Sequence, residues 1–472
     1  MNNEAVAPEQ KERISLLKVL GPAHVWALGV GIVLVGEFMG YNFSIDKGGA
    51  LGSLIACWFI GLLYTCVAMI DSEVTSTVAA AGGQYSQAKH IIGPLMAFNV
   101  GLYLVFAYTM LEAADALVVG DLIKAAAADF GHADLDPKPF VVFTVAVLAW
   151  LNYRGVYMTL NVNLVITAIA FATIFIFFFG MKGWDPAGGG FLHKGLLTDL
   201  PYGWIGVIAA FQFGIWYYLG IEGTCQAAEE VRSVGRSLPL GTMTGIITLL
   251  IAATVTWYCT AGLVPWEYLG ISLIPQYDAA RVTGSTFIQV AMFTGTLFTA
   301  LASANGTIND AARAWFAMGR DHYLPVWFGA VHPKYRTPFR SILFLVPVAI
   351  SFGFTGLLDQ VITFSILSGL LGYTVMPINM FKFRKQWPLG VIRRGYVHPF
   401  HPLPAITLIT LCAVTFFATF LGYGPQLLAM MAFYIAASLW FHFHRYKYVR
   451  RGDQFQMTWP RPKGYAHQED QR

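Results

Sequence analysis

Two glutamates sit in stretches where charge is costly. Glu37 falls in Gly29-Val30-Gly31-Ile32-Val33-Leu34-Val35-Gly36-Glu37-Phe38-Met39-Gly40, and Glu222 in Phe213-Gly214-Ile215-Trp216-Tyr217-Tyr218-Leu219-Gly220-Ile221-Glu222-Gly223. Each places a carboxylate among glycines in an otherwise apolar run. A third apolar run carries Glu112 and Asp115, three residues apart and therefore on one face of a helix. No lysine or arginine is expected at equal depth. An acid without a base nearby can carry a proton, or it can pair with a cationic ligand.

What must hold these acids follows from composition. The 472 residues are 56% hydrophobic and 12% charged, about half the ~25% charge of soluble domains. Mean hydropathy is +0.57. The chain reads as a polytopic membrane protein forming one integral transmembrane domain over 1–472. A formal charge of +4 and the lack of a basic stripe exclude nucleic-acid binding. The cysteines Cys57, Cys66, Cys225, Cys259 and Cys412 all lie in apolar runs without metal-ligand spacing, and read as buried thiols. No cofactor or metal site is indicated. The polar Met1–Lys18 segment lacks the apolar core of a signal peptide.

On a scale of about 20 apolar residues per crossing, twelve spans are expected: 24–47, 51–74, 95–120, 139–153, 159–182, 203–226, 239–263, 285–307, 339–357, 360–381, 403–422 and 425–444. If the N-terminus starts inside, the outer segments hold only Lys47, Lys124, Lys138, Lys182, Lys194 and Arg281 of the 30 Lys and Arg residues. Basic residues resist translocation, so both termini are expected in the cytoplasm and the protein in the cell (inner) membrane. Residues 1–20 and 445–472 then form cytoplasmic ends. The clusters Lys382/Arg384/Lys385, Arg393/Arg394 and Arg445–Arg451 act as topology anchors.

Spans one and six are five apart and both carry glycines around a glutamate. That is the pattern of an inverted five-plus-five repeat, with 24–182 as the first half, 203–381 as the second and 403–444 added. Paired glycine-interrupted helices in such folds unwind at mid-membrane and expose backbone to a ligand. Close helix packing through glycine is the competing explanation. Breaks are expected near Val35–Gly40 and Leu219–Gly223. For Glu112 and Asp115 the competing placement is an outer aqueous vestibule. For Glu37 and Glu222 it is structural hydrogen bonding to unwound backbone. Asp71 and Glu73, near the inner end of span two, are expected as gate or loop salt-bridge partners. The aromatics Trp216, Tyr217, Tyr218, Phe364 and Tyr373 could close over a ligand or make cation–π contacts with an ammonium, and Trp216 and Tyr217, one turn from the sixth-span break, are the two expected to do so.

The run Trp216-Tyr217-Tyr218-Leu219-Gly220-Ile221-Glu222-Gly223, then Ala228-Glu229-Glu230-Val231 and Ser237-Leu238-Pro239, resembles the amino acid–polyamine–organocation permeases. Ala81-Gly82-Gly83-Gln84-Tyr85-Ser86, Ser303-Ala304-Asn305-Gly306-Thr307-Ile308-Asn309, Ala312-Arg313 and Met318-Gly319-Arg320-Asp321-His322-Tyr323-Leu324-Pro325 continue the match in order. Gly36-Glu37-Phe38-Met39-Gly40-Tyr41-Asn42 is similar to the first helix of the ethanolamine permease branch, with Glu222 matching its sixth-helix glutamate. The resemblance implies an all-α membrane protein of twelve transmembrane helices, with helices one and six broken, that imports by alternating access. It also implies contacts from helices three, eight and ten. Two departures stand out: the acids Glu112 and Asp115, and Tyr157-Met158-Thr159-Leu160-Asn161-Val162-Asn163, which lacks the lysine some proton-coupled members use.

These observations lead to a secondary transporter for a small organic amine, ethanolamine-like, coupled to H⁺ (or Na⁺). A zwitterionic amino acid is the alternative substrate, and a channel or nutrient sensor the alternative class. The expected site comprises Val35, Gly36, Glu37, Gly40, Glu112, Asp115, Trp216, Tyr217, Gly220, Glu222, Gly223 and Ser303, with Glu37 and Glu222 as proton carriers. Membrane lipid is the other expected partner. Nothing in the sequence sets an oligomeric state.

Overall fold

Backbone amides in hydrocarbon must be satisfied within their own segment, and among the described residues nearly all are satisfied by helices. The computed structural model describes residues 16–132, 134–182, 200–392 and 394–449. Most of the expected cytoplasmic ends, together with Lys194 and Arg393, lie outside the described residues. Among the described residues there is no strand, only an isolated bridge between Leu20 and Val231.

The helices are α1 (Pro22–Met39), α2 (Tyr41–Thr75), α3 (Gln84–Ile91), α4 (Pro94–Asp129), α5 (Lys138–Arg154), α6 (Val156–Gly180), α7 (Gly203–Gly214), α8 (Val234–Ala261), α9 (Trp266–Ile271), α10 (Pro275–Val282), α11 (Thr286–Arg320), α12 (Phe339–Gly353), α13 (Leu358–Gln386) and α14 (Leu403–Trp440). Nine described helical stretches are long and apolar enough to cross a membrane, and α12 is a shorter apolar one. The 35 residues of α2 would span about 52 Å at 1.5 Å per residue, well beyond a hydrocarbon core of about 30 Å. Its backbone turns instead at Gly49, where φ is 70°. In the same way α14 bends at Tyr423, just before Pro425. Those two turns fall where the sequence separates spans one from two and eleven from twelve.

The two expected breaks differ. After α7 the chain tightens into a 3₁₀ turn (Ile215–Tyr217), reverses hand at Gly220 (φ 113°) and resumes as a second 3₁₀ turn, Ile221–Cys225. A side chain at that φ is strained, which is why glycine stands there. In the first span, Val35–Met39 remains helical, and the Gly40 amide still donates to the Gly36 carbonyl at 2.8 Å. The interruption is the single residue Gly40, at the edge of the expected window. Glycine in that span serves mainly close packing.

α4 and α11 run against each other through the centre, with α1 and α6 packed on α11 and α13 on α4. Large apolar side chains cover the outside, including Trp58, Phe143, Trp150, Phe179 and Phe287. An exterior of this kind suits lipid. All five cysteines are buried and free.

Polar networks close both ends of the bundle. At one end, Asp129 at the foot of α4 takes the Arg281 guanidinium and the Tyr277 hydroxyl (2.9 Å), and the Asn42 amide donates to the Ser272 carbonyl at 2.5 Å. At the other, Arg320 pairs with Glu229 (3.0 Å), Lys89 and Tyr85 with Asp321 (both 2.9 Å), and Arg313 with Glu230. The amides of Val19 and Leu20 both donate to the Glu230 carbonyl. Arg313 corrects the expectation of no buried base. The sequence ends span eight at 307, but α11 continues to Arg320 and carries Arg313 (3% exposed) into the protein, where Glu230 neutralises it.

Candidate functional site

The break in the sixth span leaves backbone groups without helical partners, and Glu222 satisfies one of them. Its Oε2 accepts from the Gly220 amide at 3.1 Å. Its Oε1 accepts from the Tyr373 hydroxyl at 2.7 Å and from the Tyr108 hydroxyl at 3.4 Å. The Tyr64 hydroxyl donates in turn to Tyr373 at 3.1 Å. Donors from α13, α4 and the break itself thus converge on one fully buried carboxylate. This cage suits an ionised acid, because each oxygen has a donor.

The first and sixth spans meet at glycines. A Cβ on Gly36 would fall on the carbonyl of Trp216, and one on Gly40 would lie 2.7 Å from the indole of Trp216. Phe43 stacks on that indole at 6.1 Å. Replacing Gly36 by Ala is therefore expected to push the two spans apart against backbone, at the ~1–3 kcal/mol typical of overpacking. Uptake and thermal midpoint should both fall, while Gly390→Ala, with open space around it, should change neither. Equal behaviour of the two variants would remove the close contact as a requirement.

Glu37 lies near Cys57, Tyr217 and Tyr218, and its Oε1 has no hydrogen-bond partner among the described residues. Its backbone carbonyl accepts from the Gln276 amide of α10 at 3.4 Å. Glu112 and Asp115 share a face of α4 as expected. All four of their oxygens are unpartnered among the described residues, and they are 1% and 0% exposed, so they do not face an outer vestibule here. Ser303, beside Asp115, donates instead to the Ile32 carbonyl of α1 at 2.6 Å. A Cβ on Gly220 would collide with Ile32, which also touches Gly306. Val35, Trp216 and Tyr217 are buried, and the Trp216 indole N–H and the Tyr217 hydroxyl have no hydrogen-bond partner among the described residues.

The family model for amino acid permeases matches residues 20–441. The chain belongs to the amino acid permease family. The permease is 66% identical to an uncharacterised transporter of Rhizobium meliloti, over 98% of this chain and all of the relative. It is 25% identical to a methylthioribose transporter of Bacillus subtilis, over 87% of this chain and 90% of that one. A branched-chain amino acid permease of the same bacterium is 22% identical over 78% of each chain.

Sequence reasoning missed several residues of this permease's centre. Tyr64 and Tyr108 gave no signal, since aromatic residues are common throughout the chain, and Tyr373 passed for packing. Asp310 lies beyond 307, where the sequence pattern ends span eight, on the part of α11 that continues to Arg320. It follows Ser303–Asn309 directly, so following the helical pattern past 307 would have found it. Asp71 is buried too, and the Gln84 and Gln87 amides donate to its two oxygens at 2.9 and 3.0 Å.

Proposed function

We propose that this permease imports a small organic amine, ethanolamine-like in size and charge, by alternating access with a proton as coupling ion. The observation that carries this is the set of fully buried carboxylates, Glu37, Glu112, Asp115 and Glu222, none of which pairs with a described Lys or Arg. The donor-ringed Glu222 carries the charge that attracts an ammonium, and Glu37, Glu112 and Asp115, short of donors, gain one when it arrives. The likeness of Gly36–Asn42 to the ethanolamine branch supports the size of the substrate.

In this proposal the twelve spans form an inverted five-plus-five repeat within one transmembrane domain of the cell membrane, both termini cytoplasmic. The unwound backbone of Leu219–Gly223 lines the substrate opposite the helical wall of Val35–Gly40, with Glu222 pairing its ammonium. Glu37, Glu112, Asp115 and Ser303 complete the wall, and Trp216 with Tyr217 closes over it. Sodium is the alternative coupling ion. A zwitterionic amino acid is the second reading, supported by the relative named for branched-chain amino acids. Backbone amides freed at a helix break can hold a carboxylate without any arginine.

A thermal-shift screen of purified protein tests the charge argument. At a hundred times its Kd, a ligand that binds only the folded state adds about 2.7 kcal/mol of apparent stability. Protonated amines should shift the midpoint more than sulfonates or dicarboxylates of equal size. An anion as the strongest ligand would overturn the proposal. Concentrative uptake into proteoliposomes separates a transporter from a channel or sensor.

A further inference from the structure

α11 brings a second carboxylate to the break in the sixth span. Asp310 is fully buried, and its Oδ1 accepts from the Asn309 side-chain amide at 3.0 Å. Its Oδ2 has no hydrogen-bond partner among the described residues and packs directly on Gly223, where a Cβ would overlap it. Glu222, one residue away in the break, is the opposite case, with donors on both oxygens. An ionised carboxylate needs donors around it, and an oxygen pressed on a Cα without one is far better tolerated as a neutral acid.

The charged and titratable groups around Asp310 are few. Glu222 approaches from the break, Tyr108 from α4, Arg313 from its own helix one turn on, and Glu230 from the turn after the break. From α1, Leu28 and Ile32 face α11 at Gly306, and the Ile32 carbonyl accepts from the Ser303 hydroxyl. Arg313 is committed to Glu230 and to the Asn309 carbonyl (2.7 Å), yet Glu230 Oε1 has no hydrogen-bond partner among the described residues.

We propose that Asp310 Oδ2 is where the transported proton rides, with Arg313 as the partner that discharges it, while Glu222 stays ionised for the substrate. This rests on the proton-coupled reading given above. On release the Oδ2–H bond breaks and its electron pair stays on Asp310. The proton forms an O–H bond on Glu230 Oε1, and Arg313 leaves the neutralised Glu230 to pair with the new Asp310 carboxylate. Glu230 then gives the proton to water at its end of the bundle, so charge balances at each exchange. Gly223 is the lever: its backbone covers Oδ2 only while the break holds its present shape.

Infrared difference spectra of the purified full-length protein test the site without any substrate. Asp310→Asn should remove one protonated-carboxyl band that shifts in heavy water, and Glu222→Gln should remove an ionised-carboxylate band instead. Loss of an ionised band on Asp310→Asn would overturn the inference. In proteoliposomes loaded with labelled ethanolamine, Asp310→Asn should keep exchange but lose accumulation driven by a pH gradient, at least tenfold. Full gradient-driven accumulation by the variant would also overturn it. If the wild type moves no ethanolamine, the substrate proposal fails while the infrared result still decides Asp310. Should the Asn variant not fold, Asp310→Ser takes its place with the same readouts.

Discussion

Glu222→Gln is expected to weaken equilibrium binding of an amine by a hundredfold or more. The carboxylate is held by the Tyr373 and Tyr108 hydroxyls and the Gly220 amide, all neutral donors that stabilise its charge without cancelling it. An ammonium arriving beside it therefore meets a full negative charge in a dry setting. Removing one partner of a buried ion pair costs about 3–5 kcal/mol, and each 1.4 kcal/mol is about tenfold in Kd. The amide can turn its oxygen to the Gly220 N–H and its NH₂ to a tyrosine hydroxyl, which can accept, so the expected loss is that of the charge. Calorimetric titration of the purified variant measures the loss, and Glu37→Gln supplies the comparison. Unchanged binding together with unchanged pH-driven uptake would reduce Glu222 to a structural hydrogen-bond acceptor and remove it from the substrate site.

The second large effect is on stability, at Glu73. This carboxylate, at the end of α2 and wholly buried, receives Arg384 through two hydrogen bonds (3.1 and 2.7 Å), the Arg394 guanidinium, and the His398 backbone amide at 2.9 Å. It ties the 387–402 loop and the end of α13 to α2. Burial holds the His398 imidazole below its ordinary value, so at neutral pH the two arginines supply the positive charge. Glu73→Gln leaves them facing a neutral amide, and the expected loss is about 3–5 kcal/mol. The thermal midpoint of the variant should fall by several degrees, and protease should cut the 387–402 loop faster. The exposed Glu267→Gln should stay within about 0.5 kcal/mol of wild type. A Glu73→Gln midpoint equal to that of Glu267→Gln would show that the cluster contributes nothing to holding the loop.

The sequence offers Asp71 and Glu73 as gate or loop salt-bridge partners; Glu73 pairs with Arg384 and Arg394, while Asp71 takes the Gln84 and Gln87 amides instead. The two arginines are 311 and 321 residues away along the chain, a separation over which no local pattern carries information. The cage around Glu222 has the same origin, with Tyr108 and Tyr373 separated from it by 114 and 151 residues. Hydrophobic run length alone determined the helical membrane character, most of the crossings and the cost of Glu37, Glu112, Asp115 and Glu222, because bilayer thickness acts on each segment independently. Glycine at 220 announced the sixth-span break, since φ near 113° admits little else. The same residue type at 36 did not unwind its helix, because a glycine also serves where two backbones touch, and only the partner helix decides which use applies. Whether a buried acid is caged like Glu222 or left short of donors like Asp310 likewise depends on which distant helix faces it. That choice is made by packing, after the segments have formed.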